Sequence, residues 1–135
     1  MTAEKALARF VHQRTILLKT YRRDGTPVGT PVNIAVEGER AFIRTFDRSW
    51  KARRIRNNPD AEIAPSTMRG KPTGPAIRIR ARLLSGDEAS QAATALDRKY
   101  RILQGVMVPL FHRLRGYKTL HYALVPIDEL HTDVD

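Results

Sequence analysis

Two stretches of this 135-residue chain hold the residue types from which a chemical site could be assembled. The first is Arg44-Thr45-Phe46-Asp47-Arg48-Ser49-Trp50-Lys51-Ala52-Arg53-Arg54, in which two hydroxyls stand among five cations at a strand end, a tight connection and a helix start. Free amides at a helix N-terminus, with Thr45, Ser49 and Lys51 converging on them, would cradle an oxyanion or a phosphate. A solvated, capped basic helix fits the same residues. The second stretch, Arg14-Thr15-Ile16-Leu17-Leu18-Lys19, brackets a strand with two cations five positions apart. An odd separation sends their side chains to opposite faces of an undistorted strand, so the pair cannot clamp one group from one face.

Other chemistries find little support. Without cysteine, a disulfide framework, a thiolate zinc site, an iron–sulfur cluster and a cysteine nucleophile are excluded together. His12, His112, His121 and His131 are scattered, with no pair at metal-ligand spacing. No Gly-x-Ser-x-Gly elbow or phosphate loop occurs, and Gly25, Gly29 and Gly38 read as turn glycines. Asp and Glu fall mostly in turns and helix starts, which leaves little for a paired-carboxylate hydrolase. With acid–base groups so sparse, a cofactor that brings its own reactivity is the better expectation.

The elements that must position these residues follow from the hydrophobic period. Thr2 can cap a short amphipathic helix over residues 3–13. Residues 15–21 form a strand, Asp24-Gly25 a turn, and residues 28–36 a second strand in a hairpin with it. Glu37-Gly38-Glu39 turns the chain into a third strand of the same meander, residues 40–45. Pro27 and Pro31 place the second strand at an edge or break it, because proline removes a ladder donor. A helix of two or three turns, capped by Asp47 or Ser49 and stopped at Asn57-Asn58-Pro59, precedes a strand over residues 61–67 and an irregular loop over residues 68–75. Ile77, Ile79, Ala81 and Leu83 then alternate with Arg78, Arg80 and Arg82, the pattern of a strand with one buried face. Residues 87–103 form a helix with Ala89, Ala92, Ala93, Leu96, Tyr100 and Leu103 on its apolar side, residues 106–114 a second one interrupted by Pro109, and residues 120–125 a last strand. The expected fold is mostly β with short flanking helices. About six antiparallel strands in so short a chain favour a closed or split barrel, because closure removes exposed edges.

Length and composition agree with one domain over residues 1–135. The 24 Lys and Arg exceed the 14 Asp and Glu by ten, and eighteen of the cations are Arg. A field of that sign concentrates nucleic acid, anionic lipid or a phosphorylated small molecule, although a GC-rich genome produces the same arginine bias. No apolar run is long enough to span a membrane and residues 1–14 are charged throughout, so a cytoplasmic protein without a signal peptide or membrane partner is expected.

The ordered motifs carry a resemblance. Arg14 to Lys19 resembles the Arg-x-Val-Leu-Leu-Lys strand of the pyridoxamine 5'-phosphate oxidase superfamily. Arg44-Thr45, Ser49-Trp50-Lys51-Ala52 and Asn57-Asn58-Pro59 resemble its Tyr-Thr-x-x-x-Ser-Arg-Lys-Ala…Asn-Pro segment. The Asp-Gly-x-Pro-x-Gly-x-Pro-Val hairpin at residues 24–32 and the compact length are similar to small actinobacterial members that use the deazaflavin coenzyme F420. The resemblance implies a split β-barrel homodimer with two cofactor sites in grooves between subunits. It implies that Arg14, Leu17 and Lys19 approach the flavin-like ring or its ribityl chain, and that Arg44, Thr45, Ser49, Trp50 and Lys51 line the phosphate end. Trp50 departs from the family, which has an arginine there in FMN enzymes. The C-terminal Arg-x-His motif that binds pyridoxal phosphate is also missing, so vitamin B6 oxidation is not expected.

An F420-dependent oxidoreductase, passing a hydride between the deazaflavin and an unsaturated organic substrate, is the leading expectation. The coenzyme's phosphodiester and oligoglutamate tail would engage Lys51, Arg53, Arg54 and Arg56, or the row Arg78, Arg80 and Arg82. For that row a solvated outer face competes. Trp50 either covers a ring or anchors its helix, and Tyr100, Tyr117 and Tyr122 either meet the ring or pack in the core. The alternatives are an FMN-binding oxidoreductase of the same fold and a non-catalytic basic module for a cofactor or nucleic acid. Nucleic acid is disfavoured because aromatics do not interleave with the basic residues along any strand.

Overall fold

The computed structural model describes residues 2–104 and 118–127. A helix α1 (Ala3–Leu7) runs on through a 3-10 turn (Ala8–Phe10) into β1 (Ile16–Tyr21), β2 (Pro27–Val32), β3 (Ala35–Glu37) and β4 (Arg40–Phe46). After α2 (Trp50–Asn57) come β5 (Asp60–Pro65), β6 (Ile77–Leu83), α3 (Gly86–Gln104) and β7 (Thr119–Pro126). The strands form one antiparallel sheet in the order β2-β1-β5-β6-β7-β4-β3.

That order corrects the expected meander. The run over residues 28–36 is two strands, making seven instead of six, and they lie on opposite edges of the sheet. Only Asn33 and Ile34 separate them. Laid flat, edges six strand spacings apart would be about 29 Å from each other, whereas the three residue steps from Val32 to Ala35 reach at most about 11 Å. The sheet must curl until its edges approach, which is barrel formation. Pro27 and Pro31 sit on the edge strand β2, where a missing donor costs the ladder little.

Curling sends one phase of each strand inward. Ile16 and Leu18 of β1, Ile43 of β4, Ile63 of β5, Ile79 of β6 and Leu124 of β7 are fully buried together, with Leu7 and Phe10 of the first helical segment. The opposite face of β4 and β7 packs through Phe42 and Ala123 against Ala92, Ala95 and Leu96 of α3. Tyr100 and Tyr122 belong to these cores, while Tyr117 and the expected helix over residues 106–114 lie outside the described residues. Leu83, expected inside, occupies the last position of β6 and is 56% exposed; the next residue, Leu84, is the one buried beneath α3.

α3 also fastens the corner where the chain passes from edge to edge. The Tyr100 hydroxyl accepts from the Ile34 amide at 2.9 Å and presents its proton to the carbonyls of Arg14 at 2.7 Å and Ile34 at 2.9 Å. Lys99 Nζ donates to the carbonyls of Gln13 and Ile34, both at 2.7 Å. Half-burial, with no carboxylate partner among the described residues, pulls the Lys99 ammonium down to about 8. The unfolded chain holds that proton until about pH 10.5, so between pH 8 and 10.5 unfolding takes a proton up and stability rises with pH. Urea unfolding should show the wild-type midpoint climbing relative to that of Lys99→Met between pH 8 and 9.5; parallel profiles would contradict this account of Lys99.

Candidate functional site: a cationic cleft

α2 begins with a two-layer cap. Ser49 Oγ accepts from the Ala52 amide at 3.1 Å, and the buried Thr45 hydroxyl bonds Ser49 Oγ at 3.0 Å from below. Acidic residues normally occupy the first turn of a helix, where they meet the positive end of its dipole; α2 has none there, and Lys51 adds a charge of the wrong sign. One turn on, Arg54 Nε donates at 2.6 Å to Oγ1 of Thr20, a fully buried residue of β1. That bond uses one donor of the guanidinium fork.

These residues line one side of a cleft of about 940 Å3. Arg22 and Arg23 at the end of β1 and Val28 and Thr30 of β2 form the other, and Trp50, Arg53 and Asn57 complete it with Ser49, Lys51 and Arg54. Among the described residues that line it, five are Arg or Lys and none is Asp or Glu. Burial lowers the Lys51 ammonium, and neighbouring Arg54 lowers it further. Arg54 is itself lowered by burial and then by Arg22, so repulsion runs in a chain across the cleft. Five cations elsewhere are paired with acids: Lys19 with Glu62 at 3.9 Å, Arg40 and Arg82 with Glu88 at 3.1 Å, Arg44 with Asp97 and Arg80 with Asp60 at 2.7 Å. Among the described residues, no such partner reaches the five in the cleft. The arrangement suits a ligand bearing several negative charges.

The nine residues singled out from the sequence divide among four places. Ser49, Trp50, Lys51 and Arg54 line the cleft together, with Thr45 supporting the cap from beneath. Arg44, one residue away, points to the opposite face of β4, where Asp97 of α3 engages it and His121 of β7 stands opposite. Leu17 and Lys19 face outward from β1 in a separate crevice of about 90 Å3 with Glu62, Pro72 and Gly74. Arg14 precedes β1, its Nη1 3.9 Å from Met68 Sδ. In the Arg78, Arg80 and Arg82 row, two of three are paired with acids, and none lines the cleft.

Sequence reasoning missed Arg22, Arg23 and Thr20. The basic doublet just before Asp24-Gly25 was a usable signal, since a tight hairpin must lay it beside the start of β2. Replacing Ser49 with alanine removes the cap and strands the buried Thr45 hydroxyl. Ser49→Ala should lower unfolding free energy by about 1 to 2 kcal/mol in urea titrations; a loss below a few tenths would show that the cap is dispensable.

No family model matches the chain, and no curated protein matches its sequence. Solved structures share its fold. A Listeria innocua protein named as a candidate pyridoxamine 5'-phosphate oxidase superposes with a TM-score of 0.63 at 15% identity, with 92% of each chain covered. An F420 reductase superposes at 0.56 and 17% identity, covering 90% of this chain and 92% of its own. HutZ, a heme storage protein of Vibrio cholerae, gives 0.65 and 16% identity, with 95% and 92% covered. Identities this low speak for architecture alone, since one fold hosts many activities. The chain is a split β-barrel of the pyridoxamine 5'-phosphate oxidase-like type.

Proposed function

We propose that the protein is an oxidoreductase that binds coenzyme F420 and passes a hydride between the deazaflavin ring and an unsaturated organic substrate. The observation that carries this reading is the cleft itself: five cations, with no acid among the described residues that line it, gathered around a capped helix start. The coenzyme's phosphodiester and glutamate carboxylates would find Lys51 and Arg54 on α2 and Arg22 and Arg23 on the hairpin. When bound, the coenzyme supplies the hydride chemistry. The chain's residues bind and orient it: Ser49 and the first amides of α2 hold an anionic oxygen, Lys51 and Arg54 neutralise it, and Thr20 fixes the angle of the Arg54 fork.

Leu17 and Lys19 enter this reading through a second copy of the chain. Val28 and Thr30 of β2 face the cleft, whereas Leu17 and Lys19 lie on the other face of the same hairpin. One ligand touching both sets needs a groove between two protomers, so the proposal includes a homodimer.

FMN is the second reading, since its phosphate suits the same cap. A single phosphate leaves most of the five cations unanswered, and Trp50 stands where the resemblance places an arginine in FMN enzymes. Titration by cofactor fluorescence at two salt concentrations separates the cases. F420 should saturate one site per chain at micromolar concentration, well ahead of FMN, and Lys51→Ala should weaken it by about 2 kcal/mol, roughly thirtyfold. Unchanged affinity in that variant would remove the anion-cleft assignment. Steeply salt-dependent binding of oligonucleotides in place of either cofactor would leave a basic binding module.

A further inference from the structure

Trp50 is the most exposed large hydrophobic residue among those described, at 70%, although it is the first residue of a helix held by other means. α2 buries Ala52 and Ile55 in the barrel and is capped by Ser49, so the indole has no part in anchoring it. The Arg53 guanidinium stacks over the indole, 4.9 Å from its centroid. Trp50 and Arg53 both line the cleft with Ser49 and Lys51. A flat ring stacked on this exposed indole would lie beside Ser49 and Lys51, the groups that meet the anion.

We propose that Trp50 is a stacking platform through which the cleft selects anions joined by a short linker to a flat, π-rich ring over anions without one. This rests on the cleft being the anion site. Trp50 is the single tryptophan of the chain, so intrinsic emission reports on this position alone.

The test compares F420 and ADP, which carry rings, with inorganic pyrophosphate, using equilibrium dialysis alongside emission from Trp50. The wild type should bind the ring-bearing anions at least tenfold tighter than pyrophosphate, with quenching of the indole. Trp50→Leu should abolish that gap while leaving pyrophosphate affinity within twofold, and Trp50→Phe should restore part of it. A gap that survives Trp50→Leu, or no gap in the wild type, overturns the platform while pyrophosphate binding sensitive to Lys51→Ala keeps the anion cleft. Binding of none of the three removes cleft and platform together. A sedimentation shift from dimer to monomer in Trp50→Leu would assign the indole to a contact between copies and overturn the platform.

Discussion

Everything in this molecule depends on the shortness of one connection. With only Asn33 and Ile34 between β2 and β3, the two edges of a seven-stranded sheet are tethered to each other. The curl that results creates the inward-facing core of Ile16, Ile43, Ile63, Ile79 and Leu124. It also creates the cleft. α2 follows β4, which lies beside one edge strand, whereas Arg22, Arg23, Val28 and Thr30 belong to the hairpin at the other edge. Laid flat, the helix and the hairpin would stand at opposite ends of the sheet. Ile34, at the crossing, is buried with both backbone polar groups engaged by α3, so the corner leaves neither unsatisfied.

Charge is distributed according to the same geometry. On the sheet's outer faces and along α3, arginines meet Asp60, Glu88 and Asp97. Such exposed pairs contribute little to stability, but they leave those cations with an answering charge. In the cleft, repulsion among Lys51, Arg54 and Arg22 is unanswered by any acid among the described lining residues. The cleft therefore carries a local electrostatic cost that a bound anion would relieve.

Local pattern was legible where it was local in origin. The alternation over residues 77–83, the turn at Asp24-Gly25, the cap at Ser49 and the long helix through Tyr100 all appear near their expected bounds. Pro27 and Pro31 foretold that the run over residues 28–36 is broken or lies at an edge; that its halves part at Asn33-Ile34 and take opposite edges was not legible, because partners far away in the chain decide it. In the site, the period of two should have separated Arg44 from Thr45, since neighbours on a strand cannot point the same way. The family pattern joined them, and the structure places Arg44 with Asp97. Arg22 and Arg23 lay outside both candidate stretches and become neighbours of α2 only on closure.

The position of β7 bears on how the chain is made. This strand is the last one described, yet it pairs with β6 on one side and β4 on the other, in the interior of the sheet. While a ribosome is still producing residues 86–118, the β3–β4 hairpin has no neighbour across its open side, and Ile43 and Ile79 lack the strand that joins their layers. N-terminal portions of the chain thus have a tether between edges but no bridge through the middle. Until Thr119–Pro126 emerges, β4 and β6 each keep one edge unpaired, the condition in which an incomplete chain is most exposed to aggregation.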